Sequence, residues 1–225
     1  MDSLIVFDMD GVLAEVTESY RESIVQTVKH FTGKAIDRKS IQDYKNQGGW
    51  NNDWALSQKI SADLGVAVDY DDIVDRFNDF FLGPKRDGDG LIRRESWFPA
   101  PGLLERLSQS HSLGIFTGRL RYEADFTLRR FASDLRFDPI VCADDVRVGK
   151  PAPEGLEKIR ARFPDETLWY IGDTVDDARC ARAANVPFIG IAANSHAKRD
   201  QLVNLLKAEG AKAVVENINQ IEDIL

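Results

Sequence analysis

Short apolar runs alternate with longer amphipathic stretches along most of the chain. Polar or turn-forming residues bound the apolar runs, which is typical of buried strands. These runs lie at Leu4–Phe7, Leu113–Phe116, Pro139–Cys142, Leu168–Ile171, Pro187–Ile191 and Ala213–Val215. The amphipathic stretches predict helices at Gly102–Ser110, Tyr122–Ser133, Pro153–Phe163, Asp176–Ala184 and Lys198–Glu209. Strands that alternate with helices predict an α/β fold with a Rossmann-like open parallel sheet, flanked by helices on both faces and linked by right-handed crossovers.

The segment from about Thr17 to Trp97 breaks this alternation, because it contains helical patterns and no convincing strand. The predicted helices are Glu18–Phe31, Arg38–Gln47, Asn52–Leu64 and Tyr70–Leu82. Gly83–Gly90 is rich in glycine and polar residues and predicts a flexible loop. We therefore predict an α/β core domain made of residues 1–15 and 99–225, with an inserted all-helical cap domain at residues 16–98.

Composition and charge narrow the possible partners. The 225 residues are 43% hydrophobic and 29% charged, which is ordinary for a globular protein, and the formal net charge is −8. Nucleic-acid binding relies on clustered cations, and the sequence has no block of lysines and arginines, so we expect no nucleic-acid partner. No apolar run approaches the roughly 20 residues that span a bilayer, and the start of the sequence shows no leader pattern. We expect a cytoplasmic protein, monomeric or homodimeric, with no membrane partner.

Cysteine and histidine usage adds no metal or catalytic pattern. Cys142 and Cys180 are too far apart in sequence to form a metal-binding pair, and we expect two reduced, packed thiols. The three histidines, His30, His111 and His196, are also widely spaced. His196 follows the predicted strand Pro187–Ile191 and could border a site there, although an ordinary loop position is favoured.

Two carboxylates follow the first predicted strand directly. Asp8 and Asp10 lie two residues apart, so strand periodicity would direct them to the same side, and Gly11 behind them permits a sharp turn. Parallel sheets bind ligands at the carboxyl ends of their strands. A surface turn with solvated acids is the alternative interpretation of this stretch alone.

Polar groups also follow the other central strands. Thr117-Gly118-Arg119 ends one strand, Gly149-Lys150-Pro151 comes after the next, and Gly172-Asp173-Thr174-Val175-Asp176-Asp177 ends a third. Each group has an ordinary explanation, such as a helix N-cap, a solvated lysine or acids at a helix N-terminus. Together they would place three acids, a hydroxyl and an ammonium in one crevice. Mg²⁺ suits such a site, because it binds carboxylate oxygen and substrate phosphate.

These segments resemble the ordered motifs of the haloacid dehalogenase superfamily. The match includes Asp8-Met9-Asp10-Gly11, Thr117-Gly118-Arg119, Gly149-Lys150-Pro151-Ala152-Pro153-Glu154 and Gly172-Asp173-Thr174-Val175-Asp176-Asp177. It follows the family's order and spacing over nearly the whole chain outside the helical segment. That segment resembles the small helical cap of phosphoglycolate phosphatases and β-phosphoglucomutase.

The resemblance implies a role for each core residue. Asp8 would attack phosphorus and form an aspartyl-phosphate, which divides one difficult displacement into two. Asp10 would protonate the leaving oxygen and then activate water. Thr117 and the amide of Gly118 would bind the phosphoryl oxygens, and Lys150 would neutralise charge between nucleophile and phosphate.

The resemblance also implies a Mg²⁺ cofactor and its ligands. The ion would be held by Asp8, the backbone carbonyl of Asp10 and Asp173. Asp177 would either bind the ion directly or contact the residues that bind it. Asp176 falls outside the acid spacing of the motif and is interpreted as a helix-start residue.

The function implied is a Mg²⁺-dependent phosphatase acting on a small phosphorylated metabolite. Histidinol phosphate, phosphoglycolate and sugar phosphates all remain candidate substrates. A phosphomutase of the β-phosphoglucomutase type would use the same two acids, and a non-catalytic phosphate-ligand-binding protein is an alternative of a different class. A dehalogenase is disfavoured, because displacing halide from carbon needs neither Mg²⁺ nor Asp10.

The helical segment contains candidate specificity residues. Gln47–Trp54 combines a glycine turn with two tryptophans and two asparagines, and Trp50 and Asn51 could contact the leaving group. The alternative is a joint between helices, with Asn51 or Asn52 as an N-cap and the indoles buried. Arg21 could reach a second anionic group of the substrate or remain an exposed helical arginine.

Overall fold

The computed structural model describes residues 3–194 and 198–225. The chain divides into two compact units, which we call the α/β unit (Met1–Ala14 with Trp97–Leu225) and the helical unit (Glu15–Ser96). Within the described ranges, no helix combines the length and apolar character needed to cross a bilayer.

The main sheet is built from parallel strands. In chain order the strands are β1 (Ser3–Phe7), β2 (Ala14–Glu15), β3 (Ser96–Trp97), β4 (Ser112–Phe116), β5 (Ile140–Val141), β6 (Thr167–Gly172), β7 (Phe188–Ile191) and β8 (Ala213–Val215). Six of them form one sheet in the order β5-β4-β1-β6-β7-β8, with every neighbouring pair parallel. The predicted fold class, an open parallel sheet with an inserted helical segment, is confirmed.

The helices lie within two residues of the bounds that the sequence predicts. They are α1 (Tyr20–Thr32), α2 (Arg38–Gln47), α3 (Asp53–Asp63), α4 (Tyr70–Phe81), α5 (Leu103–Ser110), α6 (Arg121–Phe131), α7 (Glu154–Arg162), α8 (Val175–Ala183) and α9 (Arg199–Ala208). Short 3-10 helices occupy Leu91–Arg94, Ala143–Asp145 and Ile218–Asp223.

Helices cover both faces of the sheet, and β1 contributes to both. Ile5 and Phe7 belong to one apolar cluster with buried residues of α5 and α6. Leu4 and Val6 belong to a second cluster with residues of α7, α8 and α9. Because successive strand residues point to opposite faces, a strand buried on both sides is apolar on both, as Leu4–Phe7 of β1 are.

One predicted strand is shorter than expected. The sequence predicts a strand over Pro139–Cys142, whereas β5 covers only Ile140–Val141. Pro139 has no N–H to donate to a ladder. At the other end, the N–H of Cys142 donates to Oδ2 of Asp145 at 2.8 Å, and this bond directs the chain into the 3-10 helix.

The helical unit has an aromatic core. Tyr20 of α1 lies 4.1 Å from Phe81 of α4, measured between ring centroids, and Phe77 is also fully buried. The N-terminus of α2 is capped by Asp37, whose side chain accepts a hydrogen bond from the backbone N–H of Ser40. Such caps satisfy N–H groups that have no partner within the helix. The Asp37 cap therefore helps this largely polar segment to form a helix.

The two cysteines are buried, and two of the three histidines lie within the described residues. Cys142 and Cys180 are free and buried, as predicted. His30 belongs to α1 in the helical unit, and His111 follows α5 in the α/β unit. His196 lies outside the described residues, so its predicted loop position stays a prediction.

Candidate active site

The central strands end at the same edge of the sheet. Phe7 pairs with Ile115 of β4 on one side and with Ile171 of β6 on the other. The segments that follow these strands therefore start next to one another. They carry Asp8, Thr117 and Asp173, which the sequence predicts as site residues.

Asp8 and Asp10 lie in the turn that follows β1. The N–H of Asp8 extends the sheet by donating to the carbonyl of Ile171 at 2.8 Å. The chain then turns back, because the N–H groups of Leu13 and Ala14 both donate to the carbonyl of Met9. Strand alternation thus ends at Phe7, and the turn rather than strand periodicity positions the two acids.

Gly11 allows this turn to contact the acid that follows β6. Its φ of +75° lies in the left-handed region, which favours glycine. A Cβ built on Gly11 would lie 2.0 Å from Oδ2 of Asp173, well inside any allowed contact. Any larger residue would therefore displace the Asp173 carboxylate.

Lys150 links two buried carboxylates. Its Nζ lies 2.8 Å from Oδ1 of Asp8 and 2.8 Å from Oδ1 of Asp177. The stem is buried, and the ammonium lies 5.0 Å from the ring centroid of Phe116 and 5.4 Å from that of Tyr170. Buried charges require partners of opposite sign, and this lysine has two.

Asp177 is fixed by donors to both of its oxygens. Oδ2 accepts from the backbone N–H of Thr174 at 3.0 Å and from its hydroxyl at 2.6 Å, which forms the capping box of α8. Oδ1 accepts from the Tyr170 hydroxyl at 2.7 Å in addition to Lys150. Tyr170 could not be recognised as a site residue from the sequence, because it lies in an apolar strand. Asp176, one residue earlier, is buried near the start of α8.

Burial perturbs the titration of the acids. Desolvation raises the pKa of Asp8 from 3.8 to about 7, although the charge of Lys150 acts in the opposite direction. Burial would also raise the pKa of Asp177, but Lys150 and hydrogen bonds from Thr174 and Tyr170 hold it below its ordinary value. Asp8 therefore lacks enough positive charge nearby to remain fully ionised at neutral pH.

The donor set fits a divalent cation. One carboxylate oxygen each from Asp8, Asp173 and Asp177 lies within 4.8 Å of the others. Asp8 and Asp177 share the ammonium of Lys150, and a cation among the three carboxylates would supply the further charge that Asp8 needs. Hard oxygen ligands of this kind suit Mg²⁺ or Ca²⁺.

Thr117 and Gly118 lie at the end of β4. Thr117 is buried, its N–H donates to the carbonyl of Val141, and its Oγ1 accepts from the N–H of Arg119 at 3.2 Å. Gly118 is exposed, and its N–H has no hydrogen-bond partner within residues 3–194 and 198–225. Of the amides after Thr117, the one of Gly118 is therefore open to a ligand.

Arg119 is a site residue that the sequence did not single out. Its side chain is fully buried, with Nη2 2.6 Å from Oδ1 of Asp10 and Nε 2.7 Å from the same oxygen. Its position in the sequence could have indicated it. Arg119 belongs to the motif Thr117-Gly118-Arg119, which follows a predicted buried strand and whose first residue was already a candidate. Its partner lies 109 residues away in sequence, so the pairing itself could not be read from spacing.

The predicted specificity residues belong to the helical unit. Arg21 lies in α1 and is half-buried. Trp50 and Asn51 lie between α2 and α3 and are also half-buried. The rings of Trp50 and Tyr44 meet edge to face, with their centroids 6.2 Å apart. The residue that caps α3 is Asn52, whose side chain accepts from the N–H of Ala55 at 2.9 Å.

Comparisons with known proteins identify the family. A model of the haloacid dehalogenase-like hydrolases matches residues 3–185. The chain therefore belongs to this hydrolase family, as the motifs predict. Similar proteins that carry phosphatase names support a phosphatase-type hydrolase within it.

Three similar proteins illustrate the range of the family. The chain is 30% identical over 203 residues to an imidazoleglycerol-phosphate dehydratase of Phytophthora nicotianae, covering 83% of this chain and 42% of that protein. It is 26% identical over 192 residues to the pyrophosphatase PpaX of Anoxybacillus flavithermus, covering 84% and 82%. Among solved structures, phosphatase Tt82 from Thermococcus thioreducens superposes with a TM-score of 0.65 at 26% identity, covering 91% of this chain and 99% of that one.

Proposed function

We propose that this chain is a Mg²⁺-dependent phosphatase that hydrolyses a small phosphorylated metabolite through an aspartyl-phosphate on Asp8. The observation that carries the proposal is the buried Asp8 carboxylate, 2.8 Å from Lys150 and grouped with Asp173 and Asp177 at the strand ends. A nucleophile of this kind needs a fixed cation that balances its charge. Lys150 is that cation.

In the first step, Asp8 attacks phosphorus as the bond between phosphorus and the leaving oxygen breaks. Asp10 donates a proton to that oxygen. The Thr117 hydroxyl and the Gly118 amide bind the phosphoryl oxygens, where positioned donors stabilise developing charge. Lys150, itself oriented by Asp177, balances the charge of Asp8 and of the arriving phosphate.

In the second step, Asp10 removes a proton from water as water attacks the aspartyl-phosphate. Free phosphate leaves and both acids return to their initial state. Covalent catalysis of this kind replaces one difficult displacement with two easier ones.

Asp8, the backbone carbonyl of Asp10 and Asp173 would hold the Mg²⁺ ion. When bound, Mg²⁺ supplies positive charge that keeps Asp8 ionised and offsets the charge of the phosphoryl oxygens. Both carboxylate oxygens of Asp177 accept hydrogen bonds from protein donors. We therefore propose that Asp177 does not contact the ion and instead orients Lys150.

We propose that residues 16–98 act as a cap that reads the leaving group through Arg21, Trp50 and Asn51. The substrate panel should hold phosphoglycolate, histidinol phosphate and sugar phosphates. Pyrophosphate is added because of the name of the Anoxybacillus relative. Nothing in the site supports dehydration of imidazoleglycerol phosphate, the activity in the name of the Phytophthora relative.

The test is phosphate release from this panel with Mg²⁺, run on the wild type and on Asp8→Asn. We expect release that needs Mg²⁺ and no bisphosphate activator, and none from the variant. Turnover that requires a bisphosphate would indicate a phosphomutase instead. Phosphate binding without turnover of any substrate would indicate a binding protein.

A further inference from the structure

The guanidinium of Arg119 is enclosed in the α/β unit between α6 and the turn that carries Asp10. Its Nη1 donates to the hydroxyl of Thr127, a buried residue of α6, at 2.6 Å. Its Nε and Nη2 both reach Oδ1 of Asp10, at 2.7 and 2.6 Å. The arginine is thus anchored to a helix at one end and to the acid at the other.

Burial makes this contact important for the arginine. None of the Arg119 side chain is exposed, whereas 30% of the Asp10 side chain is. A buried guanidinium is stable only when its N–H groups are bonded and its charge is paired. Asp10 provides that pairing from the solvent side, and Arg119 in turn restricts the positions that Asp10 can take.

The pairing uses one oxygen of Asp10. A guanidinium fork commonly engages both oxygens of a carboxylate with two parallel bonds. Here both N–H groups converge on Oδ1. Over residues 3–194 and 198–225, neither a hydrogen bond nor an ion pair engages Oδ2.

We propose that Arg119 is a positioning residue, which holds Asp10 by Oδ1 so that Oδ2 is the oxygen that gives up and takes back the proton. The inference rests on the proposed function. In the first step, the proton on Oδ2 passes to the leaving oxygen while the bond from that oxygen to phosphorus breaks and the bond from Asp8 to phosphorus forms. In the second, Oδ2 takes a proton from water while the water oxygen bonds phosphorus and the bond to Asp8 breaks.

This role predicts a kinetic pattern with p-nitrophenyl phosphate. The nitrophenolate leaves without a proton, so transfer to Asp8 does not need Asp10 in the correct position. Hydrolysis of the aspartyl-phosphate still does. Because kcat/KM reports only the steps up to the first irreversible transfer, loss of positioning should lower kcat and spare kcat/KM.

The experiment compares wild type, Arg119→Lys and Thr127→Val with p-nitrophenyl phosphate and Mg²⁺. For Arg119→Lys we expect kcat to fall about tenfold or more, as for weakened general base catalysis, and kcat/KM to stay within about threefold. A burst of nitrophenolate should precede the slow steady state. Thr127→Val, which frees the arginine without touching Asp10, should shift the constants in the same direction by a smaller factor.

Two further variants test whether Arg119 acts through Asp10. Asp10→Asn should show the same split, and adding Arg119→Lys to it should change little, since both remove one interaction. Arg121→Lys is the matched control. Arg121 pairs with Asp145 at 2.5 Å, so its kinetic constants should equal those of the wild type.

The outcomes separate this inference from the proposed function. If Asp8→Asn is inactive while Arg119→Lys and Thr127→Val lower kcat and kcat/KM together, Arg119 is only a packing residue and the phosphatase proposal stands. Losses that multiply in the double variant would also overturn the inference. If Asp8→Asn retains activity, the proposed function fails and the inference fails with it. Should Arg119→Lys lower the melting temperature sharply, Thr127→Val carries the test.

Discussion

Two polar regions of this chain, the strand-end cluster around Asp8 and the segment 48–54 of the helical unit, use their side chains differently. At the strand ends, Lys150 bonds two acids from different segments, and Asp177 accepts from donors at both oxygens. In the segment 48–54, contacts are local. Asn52 caps the helix that it begins, and Asp53 pairs with Lys45 of the preceding helix.

The difference indicates why each region contains polar side chains. At the strand ends, Asp8 and Asp177 are buried despite the penalty for desolvating charge. Helix capping explains Asn52 of segment 48–54, and an ion pair explains Asp53. A reaction is therefore the better explanation of the first region, and the second needs a direct test.

The largest effect should come from Asp8→Asn. The amide is nearly isosteric with the carboxylate but a very poor nucleophile. We expect kcat to fall more than about a hundredfold, since loss of a nucleophile commonly costs far more. Circular dichroism and the melting temperature should show an intact fold. Retention of more than about a hundredth of wild-type kcat would exclude Asp8 as the nucleophile.

Two lysines compare the regions directly, since Lys150 pairs with two aspartates and Lys45 with one. Lys150→Met leaves Asp8 and Asp177 buried without their cation, so we expect the free energy of unfolding to fall by about 3–5 kcal/mol and activity to be lost. Lys45→Met removes the lysine of a single pair at 2.5 Å, whose side chains are 15% and 13% exposed. It should cost less than Lys150→Met, because only one carboxylate loses its partner and both side chains keep some contact with water. Urea denaturation of both variants measures this, and equal losses would contradict the account.

Mg²⁺ should stabilise the strand-end cluster around Asp8 and not segment 48–54. Burial raises the pKa of Asp8 from 3.8 to about 7, so the folded metal-free protein keeps a proton that the unfolded chain releases between those values. The contribution of this group to stability therefore falls as pH rises through that range. Mg²⁺ binds only the ionised carboxylate, and it stabilises the folded state by mass action.

We therefore expect millimolar Mg²⁺ to raise the melting temperature more at about pH 8 than at about pH 5. Asp8→Asn should remove this pH dependence. The control is Asp72→Asn, which changes an exposed acid in the first turn of α4 and should leave the Mg²⁺ effect unaltered. An Mg²⁺ effect that is independent of pH, or absent, would contradict the metal assignment.

The smallest effect on a generic substrate should come from Trp50→Ala. If Trp50 reads the leaving group, p-nitrophenyl phosphate hydrolysis should stay within a few-fold of wild type. The best substrate of the panel should lose kcat as well as affinity, because remote binding energy helps to position the phosphoryl group. Steady-state kinetics with both substrates measures the split.

Stability separates recognition from packing at Trp50. Loss of a packed aromatic costs roughly 3–5 kcal/mol and would reduce both activities together. Asn52→Ala is the matched control, because it removes the cap of α3 at a cost of about 1 kcal/mol without touching Trp50. Equal losses of both activities in Trp50→Ala, with a lowered melting temperature, would make Trp50 a packing residue.

Much of the fold could be predicted from the sequence, because its strands are short, apolar and separated by clear helical patterns. The predicted helix Arg38–Gln47 coincides with α2. The strand at Pro139–Cys142 was overestimated, since proline cannot donate to a ladder and the Cys142 N–H bonds a side chain instead.

The candidate site could be predicted only where motifs name its residues. Asp8 and Asp177 follow the neighbouring strands β1 and β6, and Lys150 follows β5 in the same sheet, so their meeting at one edge follows from the fold class. Tyr170 and Arg119 could not be assigned, because one looks like an ordinary strand residue and the other pairs with an acid 109 positions away. No comparable motif in segment 48–54 identifies the leaving group, and helix capping already explains Asn52 there.

The most direct test of the central claim is acid quench of the enzyme during turnover of p-nitrophenyl phosphate labelled in its phosphoryl group. We expect label on the peptide that contains Asp8, and hydroxylamine should remove it, as it does from an acyl phosphate. The label should be absent from Asp8→Asn and should accumulate in Asp10→Asn, which forms the intermediate but hydrolyses it slowly. Label on another residue, or none in an Asp10→Asn enzyme that still releases nitrophenolate, would contradict the aspartyl-phosphate mechanism.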